Sequence, residues 1–229
     1  MTNRPYVLLS CAASLDGYID DNTSERLLLS NDADFDRVDE VRAQCDAILV
    51  GASTIRRDNP RLLVRSEARR ASRLERGLTE TPTKATITRN GDLSSDAQFF
   101  AAGETDKVVY ATSSGFDKTQ QAVGAVADVV DAGDPVNFEL VLADLARRGI
   151  GRLMVEGGGS MHTEFLTTGL ADELHLVVAP FFVGDSAAPR FVKDGAFPWN
   201  KDHRARLASA TQIQDVILLR YALSNRFQD

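Results

Sequence analysis

A chain of 229 residues can bury a full hydrophobic core, as one large domain or two small ones. Its 43% hydrophobic and 26% charged residues are the proportions of a globular protein, which excludes disordered and fibrous classes. A net charge of −7 argues against nucleic acid as the main partner, and no stretch has the length or apolarity of a membrane span. The amino terminus does not resemble a signal peptide. The two cysteines, Cys11 and Cys45, sit in apolar segments, so free thiols and a cytoplasmic location are expected. The three histidines (His162, His175, His203) are scattered without zinc-ligand spacing, and no metal centre is expected.

Residues 5–13 form an apolar run without helical period, which predicts a strand buried on both faces. Asp16-Gly17 breaks it as a turn and places Asp16 where α/β strands end and ligands bind, before Tyr18 and Ile19 resume extended structure. Phe35, Val38, Val41 and Cys45 recur at helical spacing, with Asn31 or Asp32 as cap and Arg42 near the carboxyl end.

Residues 47–50 predict a short buried strand running into Gly51-x-x-Thr54, which sets backbone amides and a hydroxyl at a strand end. Asp58-Asn59-Pro60 predicts a turn, and residues 62–64 resume a strand pattern. Arginines then crowd the chain. Such local basicity in an acidic protein suggests a small anionic ligand, because guanidinium forks match phosphate. Arg65, directly after the apolar run, is the better candidate; Arg69 to Arg76, interleaved with Glu67 and Glu75, read as a solvated surface helix.

From residue 85 the pattern is regular. Strands are predicted at 85–88, 108–111, 126–130 and 152–155, with helices at 116–123 and 137–148, the latter closed by Gly149. Strand–helix alternation indicates a mainly parallel sheet with helices on both faces. Thr88 and Thr112 follow strands and set small hydroxyls at one rim. The strand at 152–155 leads into Glu156-Gly157-Gly158-Gly159-Ser160. Glycines permit close backbone approach, and a helix capped by Ser160 would offer its first N–H groups to an anion. The alternative is a tight turn with no ligand. A strand at 173–179, an irregular excursion at 180–198 and a hairpin at 204–222 around Gln214-Asp215 complete one domain, 1–229.

Taken together, Ser14-Leu15-Asp16-Gly17, Val41-Arg42-Ala43, Gly51-x-x-Thr54-x-x-x-Asp58-x-Pro60-x-Leu62-x-Val64-Arg65, the Glu156–Gly159 loop and Leu170-x-Asp172-Glu173 carry a resemblance. The chain resembles the riboflavin-pathway pyrimidine reductases, found alone in archaea and fused behind a zinc deaminase in many bacteria. The resemblance implies a dihydrofolate-reductase-like fold, three layers α-β-α with a mainly parallel sheet ending in an antiparallel hairpin, and a homodimer. It also implies NADPH at Gly51, Thr54, Asp58, Thr88, Gly157, Gly158, Gly159 and Ser160. Asp16, Arg42, Leu62, Arg65 and Glu156 would face a phosphoribosylamino-pyrimidine, and Asp58 and Glu156 are the candidate catalytic carboxylates. Arg42 and Arg65 would hold the substrate's 5′-phosphate.

The chain departs from that pattern at Ser10, where relatives carry Lys or Asn, at Tyr18, where they carry a basic residue, and at Leu28, where an aromatic residue is expected. A same-fold reductase of another imine or carbonyl, such as a pteridine, and a non-catalytic nucleotide-binding protein therefore stand as alternatives. No deaminase signature is present.

Overall fold

The computed structural model describes residues 4–23, 25 and 27–227. β1 (Tyr6–Ser14) is the expected buried strand, and Tyr18 bridges Arg190 in antiparallel fashion. α1 (Asp32–Gln44) is capped by Asn31, whose Oδ1 accepts from Asp34 N–H at 3.1 Å, with Arg42 in its last turn. β2 (Ala47–Gly51) is fully buried. The chain then departs from expectation. α2 (Ala52–Asp58) starts directly after Gly51, and residues 62–64 form no strand. Asn59 and Leu62 both take left-handed backbone (φ 43° and 50°), which bends the chain and prevents an extended run there.

α3 (Glu67–Glu75) is capped by Ser66, and it is not the solvated helix throughout that its charges predict. Arg73 is 1% exposed: its guanidinium donates to the carbonyls of Ala43, Cys45 and Thr79 at 2.7–3.0 Å. A cation thus closes the carboxyl end of α1, where orphan carbonyls and the helix dipole favour positive charge.

β3 (Thr83–Thr88), the short α4 (Gln98–Ala101), β4 (Lys107–Ala111), α5 (Phe116–Val123), β5 (Asp128–Asp131), α6 (Phe138–Arg147) and β6 (Arg152–Glu156) follow, close to the predicted bounds except for the unforeseen α4. α7 (Gly159–Thr167), β7 (Glu173–Ala179) and the hairpin β8 (Arg206–Ile213) and β9 (Val216–Ala222) complete the order. Gln214 supplies the left-handed residue that turns the hairpin, at φ 57°.

The chain divides into two compact units, one chiefly Asp39–Met154 and the other Tyr6–Val38 with Val155–Asp229. In the first, β5, β4, β3 and β2 lie side by side and all parallel, around a core that includes Ile48, Leu49, Val109, Tyr110, Leu142 and Leu145. Asp46 pins the start of β6, its Oδ2 accepting from Gly151 N–H and Arg152 N–H at 2.9 and 2.8 Å.

In the second unit β1 and β7 are parallel, and β7, β9 and β8 continue antiparallel. This is the α/β architecture that strand–helix alternation predicts, mainly parallel and ending in an antiparallel hairpin. Asp172 and Glu173 anchor this unit. Asp172 accepts from Val7 N–H (2.9 Å), Ser224 Oγ (2.7 Å) and Arg226 Nη1 (3.1 Å), tying β1 to the carboxyl terminus. Glu173 accepts from Tyr6 Oη, His175 Nε2 and Arg220 Nη2 at 2.7–3.0 Å. Desolvation pushes the Glu173 carboxyl up, but these cationic and imidazole partners outweigh it and hold it at about 2.

Candidate active site

In the first unit, Gly51 ends β2 beside Ile87 of β3, so Thr88 emerges at the same end of the parallel strands. Thr88 is buried, and its hydroxyl accepts from Gly91 N–H at 3.1 Å, shaping the loop after β3 rather than standing free. Thr54 and Asp58 are one helical turn apart in α2 and share a face. Leu62 is buried in its left-handed conformation, a strained arrangement that costs on the order of 1 kcal/mol and concentrates at functional sites. Arg65 follows with its side chain 62% exposed.

What places Arg65 is Asp39, which the sequence reading did not single out. The Asp39 carboxylate, 2% exposed, accepts from Arg65 N–H (2.5 Å), Ser66 N–H (3.1 Å) and Arg69 Nη1 (3.0 Å). Asp39 and Arg42 are three residues apart near the carboxyl end of α1 and therefore neighbour one another on the helix surface.

In the second unit, β6 ends at Glu156 and the glycine loop turns directly into α7. Gly157 has φ 94°, a conformation that side-chain-bearing residues rarely adopt. The helix cap is Gly158, which has no side chain to cap with, and not Ser160 as the sequence suggests. Ser160 is an exposed first-turn residue. Gly159 is already helical, and a Cβ there would sit 2.2 Å from the Arg190 carbonyl oxygen. The excursion after β7 packs against that glycine as a strap. Lys193 N–H donates to Thr163 Oγ1 at 2.8 Å, and the Phe191 ring lies 5.3 Å from the His162 ring.

Asp16 holds the root of the same strap. It accepts from Ser14 Oγ (2.6 Å), Val183 N–H (3.1 Å) and Gly184 N–H (2.8 Å). Desolvation raises its carboxyl, but these three hydrogen bonds outweigh that and bring it down to about 2. Glu156, Gly157, Gly158, Gly159 and Ser160 are thus contiguous, and Asp16 reaches them through the strap. Gly159→Ala is expected to displace residues 190–193 and destabilise the protein by about 1–3 kcal/mol. Urea denaturation with limited proteolysis checks this; unchanged stability and unchanged cleavage between residues 184 and 199 would contradict the packing described.

A nicotinamide dinucleotide would find suitable chemistry in this loop. The nine-residue α7 presents its amino end beside side-chain-free backbone, which suits a diphosphate. One buried polar group also waits without a partner: both ring nitrogens of His162 lack a hydrogen bond, although the residue is 0% exposed. Among the described residues no group of His, Cys, Asp or Glu is arranged to hold a metal ion.

The family model described as the RibD C-terminal domain matches residues 5–219. The chain belongs to the RibD C-terminal domain family. A relative from Archaeoglobus fulgidus, named 2,5-diamino-6-ribosylamino-4(3H)-pyrimidinone 5′-phosphate reductase, is 34% identical over 187 residues, covering 81% of this chain and 85% of its own. A Thermotoga maritima structure, titled as a diaminohydroxyphosphoribosylaminopyrimidine deaminase/5-amino-6-(5-phosphoribosylamino)uracil reductase, superposes with TM-score 0.76 at 22% identity. It covers 96% of this chain, which spans 56% of the Thermotoga chain. An Enterococcus faecalis dihydrofolate reductase superposes with TM-score 0.52 at 13% identity, covering 97% of each chain. The RibD C-terminal domain here therefore has the dihydrofolate-reductase-like fold. Within the family fold, the departures noted in the sequence have distinct surroundings. Tyr18 is buried and its hydroxyl accepts from Arg190 Nη2 at 2.9 Å, so it braces the strap, whereas Leu28 is 65% exposed.

Proposed function

We propose that this protein is an NADPH-dependent oxidoreductase that reduces the ribosyl group of a phosphoribosylamino-pyrimidine to the ribitylamino product, in riboflavin biosynthesis. The substrate is 5-amino-6-(5-phosphoribosylamino)uracil or its 2,5-diamino-pyrimidinone counterpart. The observation that carries this reading is the Glu156–Gly159 loop opening α7 in a chain of the RibD C-terminal domain family. The names of the Archaeoglobus and Thermotoga relatives support the substrate class.

Bound NADPH supplies a hydride for C1 of the ring-opened, imine-like sugar. The residues divide the remaining work. Gly157, Gly158, Gly159 and Ser160 hold the diphosphate, with Gly51, Thr54, Asp58 and Thr88 contributing to cofactor binding. Arg42 and Arg65 hold the 5′-phosphate, and Leu62 flanks the substrate. Asp58 and Glu156 orient nicotinamide and sugar, and their charge stabilises the cationic imine as its nitrogen is protonated. Asp16 acts on the substrate side through the strap that it anchors. We place the protein in the cytoplasm as a homodimeric single reductase domain, 1–229, without nucleic-acid or membrane partners. Among the described residues no helix is long and apolar enough to cross a membrane.

The test is Arg65→Ala assayed with the phosphorylated substrate and with its dephosphorylated form. Arg65→Ala is expected to raise KM for the phosphorylated substrate by about 10- to 100-fold, the loss of one charge-assisted phosphate contact. The dephosphorylated form should be a poor substrate for both proteins. Equal turnover of the two substrates by the unmodified protein, undiminished in Arg65→Ala, would instead favour reduction of an unphosphorylated imine or carbonyl. That second reading rests on the departures at Ser10 and Tyr18.

A further inference from the structure

His162 lies in the first turn of α7 at 0% exposure, and neither ring nitrogen has a hydrogen-bond partner. A buried polar side chain left unpaired costs free energy comparable to a lost hydrogen bond, so its retention calls for an explanation. The ring is enclosed on one side by Phe191 of the strap, 5.3 Å away between centroids. The Gly157 main chain and the Glu156 carboxylate of the glycine loop also act on the ring, although neither ring nitrogen completes a hydrogen bond of full geometry. Burial pushes it down to about 4, against smaller opposing pulls from Gly157 and Glu156, so it is neutral at physiological pH. A neutral imidazole has one donor and one acceptor, and here both are unspent.

We propose that His162 is the positioning residue of the glycine loop, its buried imidazole taking up a hydrogen bond to the Gly157 main chain when a dinucleotide's diphosphate settles on the amino end of α7. The proposal rests on NADPH binding at this loop. Gly157 is the hinge on which such a shift turns, because its left-handed backbone has no side chain to restrain it. Part of the binding free energy is thus the repair of a buried unsatisfied group. This assigns His162 a role toward the cofactor without touching the substrate, and it explains why a helix among apolar neighbours (Met161, Phe165, Leu166) keeps a histidine on its buried side.

The test compares the unmodified protein with His162→Leu and His162→Asn at pH 7.5, by calorimetric titration with NADPH and by thermal unfolding without it. His162→Leu removes the orphaned nitrogens, so its ligand-free melting temperature should equal or exceed that of the unmodified protein, while its NADPH affinity falls at least tenfold. His162→Asn keeps a donor and an acceptor and should bind NADPH within about threefold of the unmodified protein. A merely structural histidine would move the ligand-free melting temperature and leave both affinities unchanged. If His162→Leu binds NADPH as tightly as the unmodified protein, the positioning role is overturned and the cofactor reading stands. If the unmodified protein itself fails to bind NADPH, the cofactor reading fails and this role falls with it.

Discussion

Gly158→Val is expected to weaken NADPH binding by at least about a hundredfold, a loss of about 2.7 kcal/mol, while leaving the fold intact. The three loop glycines differ in what a side chain would do. At Gly157 (φ 94°) any side chain is strained, and at Gly159 a Cβ would collide with the Arg190 carbonyl oxygen, so variants there mix folding with binding. Gly158 has φ −60° and ψ 157°, extended backbone that valine adopts readily, and it caps α7 with no side-chain bond to lose. An isopropyl group at that cap would cover the N–H groups that a diphosphate must reach. Titration calorimetry reads the affinity, and thermal unfolding should move by no more than a few degrees. Affinity equal to that of the unmodified protein would remove the cradle role from this loop.

Stability is expected to fall steeply as pH drops below about 6.5, with His162 as the largest contributor. Its ordinary value is 6.5 and the folded protein holds it at about 4. Well above pH 6.5 the imidazole is neutral in both states, and its protonation contributes nothing to the balance. Between 6.5 and 4 the unfolded chain binds a proton that the folded chain refuses, so acid favours unfolding. The linkage gives about 2 kcal/mol lost by pH 5 and about 3 kcal/mol by pH 4. His175, also held below its ordinary value by burial despite Glu173 beside it, acts in the same direction. Glu173 adds a further loss as pH falls from 4.5 towards about 2, where its ion pair with Arg220 is protonated away. Urea denaturation at pH 7.5 and pH 5 measures the first arm, and His162→Leu should flatten most of it. Equal stability at both pH values would contradict the burial of a neutral, unpaired His162.

Much of this arrangement was legible in the residues because burial and periodicity write it there. The buried parallel strands announce themselves as short apolar runs such as Ala47-Ile48-Leu49-Val50. α1 announces itself by Phe35, Val38 and Val41 behind an Asn cap. The glycine loop was visible as a strand running into Gly-Gly-Gly. α2 was hidden for a physical reason: its seven residues carry one large apolar side chain, Ile55, so no helical stripe exists to read. The false strand at 62–64 followed from three apolar residues in a row, whereas local backbone conformation at Asn59 and Leu62 decides the path. Arg73 reads as a solvated charge because a guanidinium surrounded by charges in sequence is surrounded by helix-end carbonyls in space. Asp39 and His162 gave no signal at all. Their roles depend on partners that chain order separates: Arg65 and Arg69 for Asp39, and the strap at Phe191 for His162. Side-chain chemistry favours Ser160 as the cap, but the cap is Gly158, two residues earlier, and Gly159 is already helical where Arg190 approaches it closely.

Reductase activity is read directly from NADPH absorbance at 340 nm, with the purified protein and freshly prepared 5-amino-6-(5-phosphoribosylamino)uracil, and with its 2,5-diamino-pyrimidinone counterpart. One of the two should support oxidation of one NADPH per ribitylamino product formed, and Gly158→Val should lose that activity. Tight NADPH binding with no oxidation by either substrate would contradict the reductase assignment and leave a nucleotide-binding member of the family.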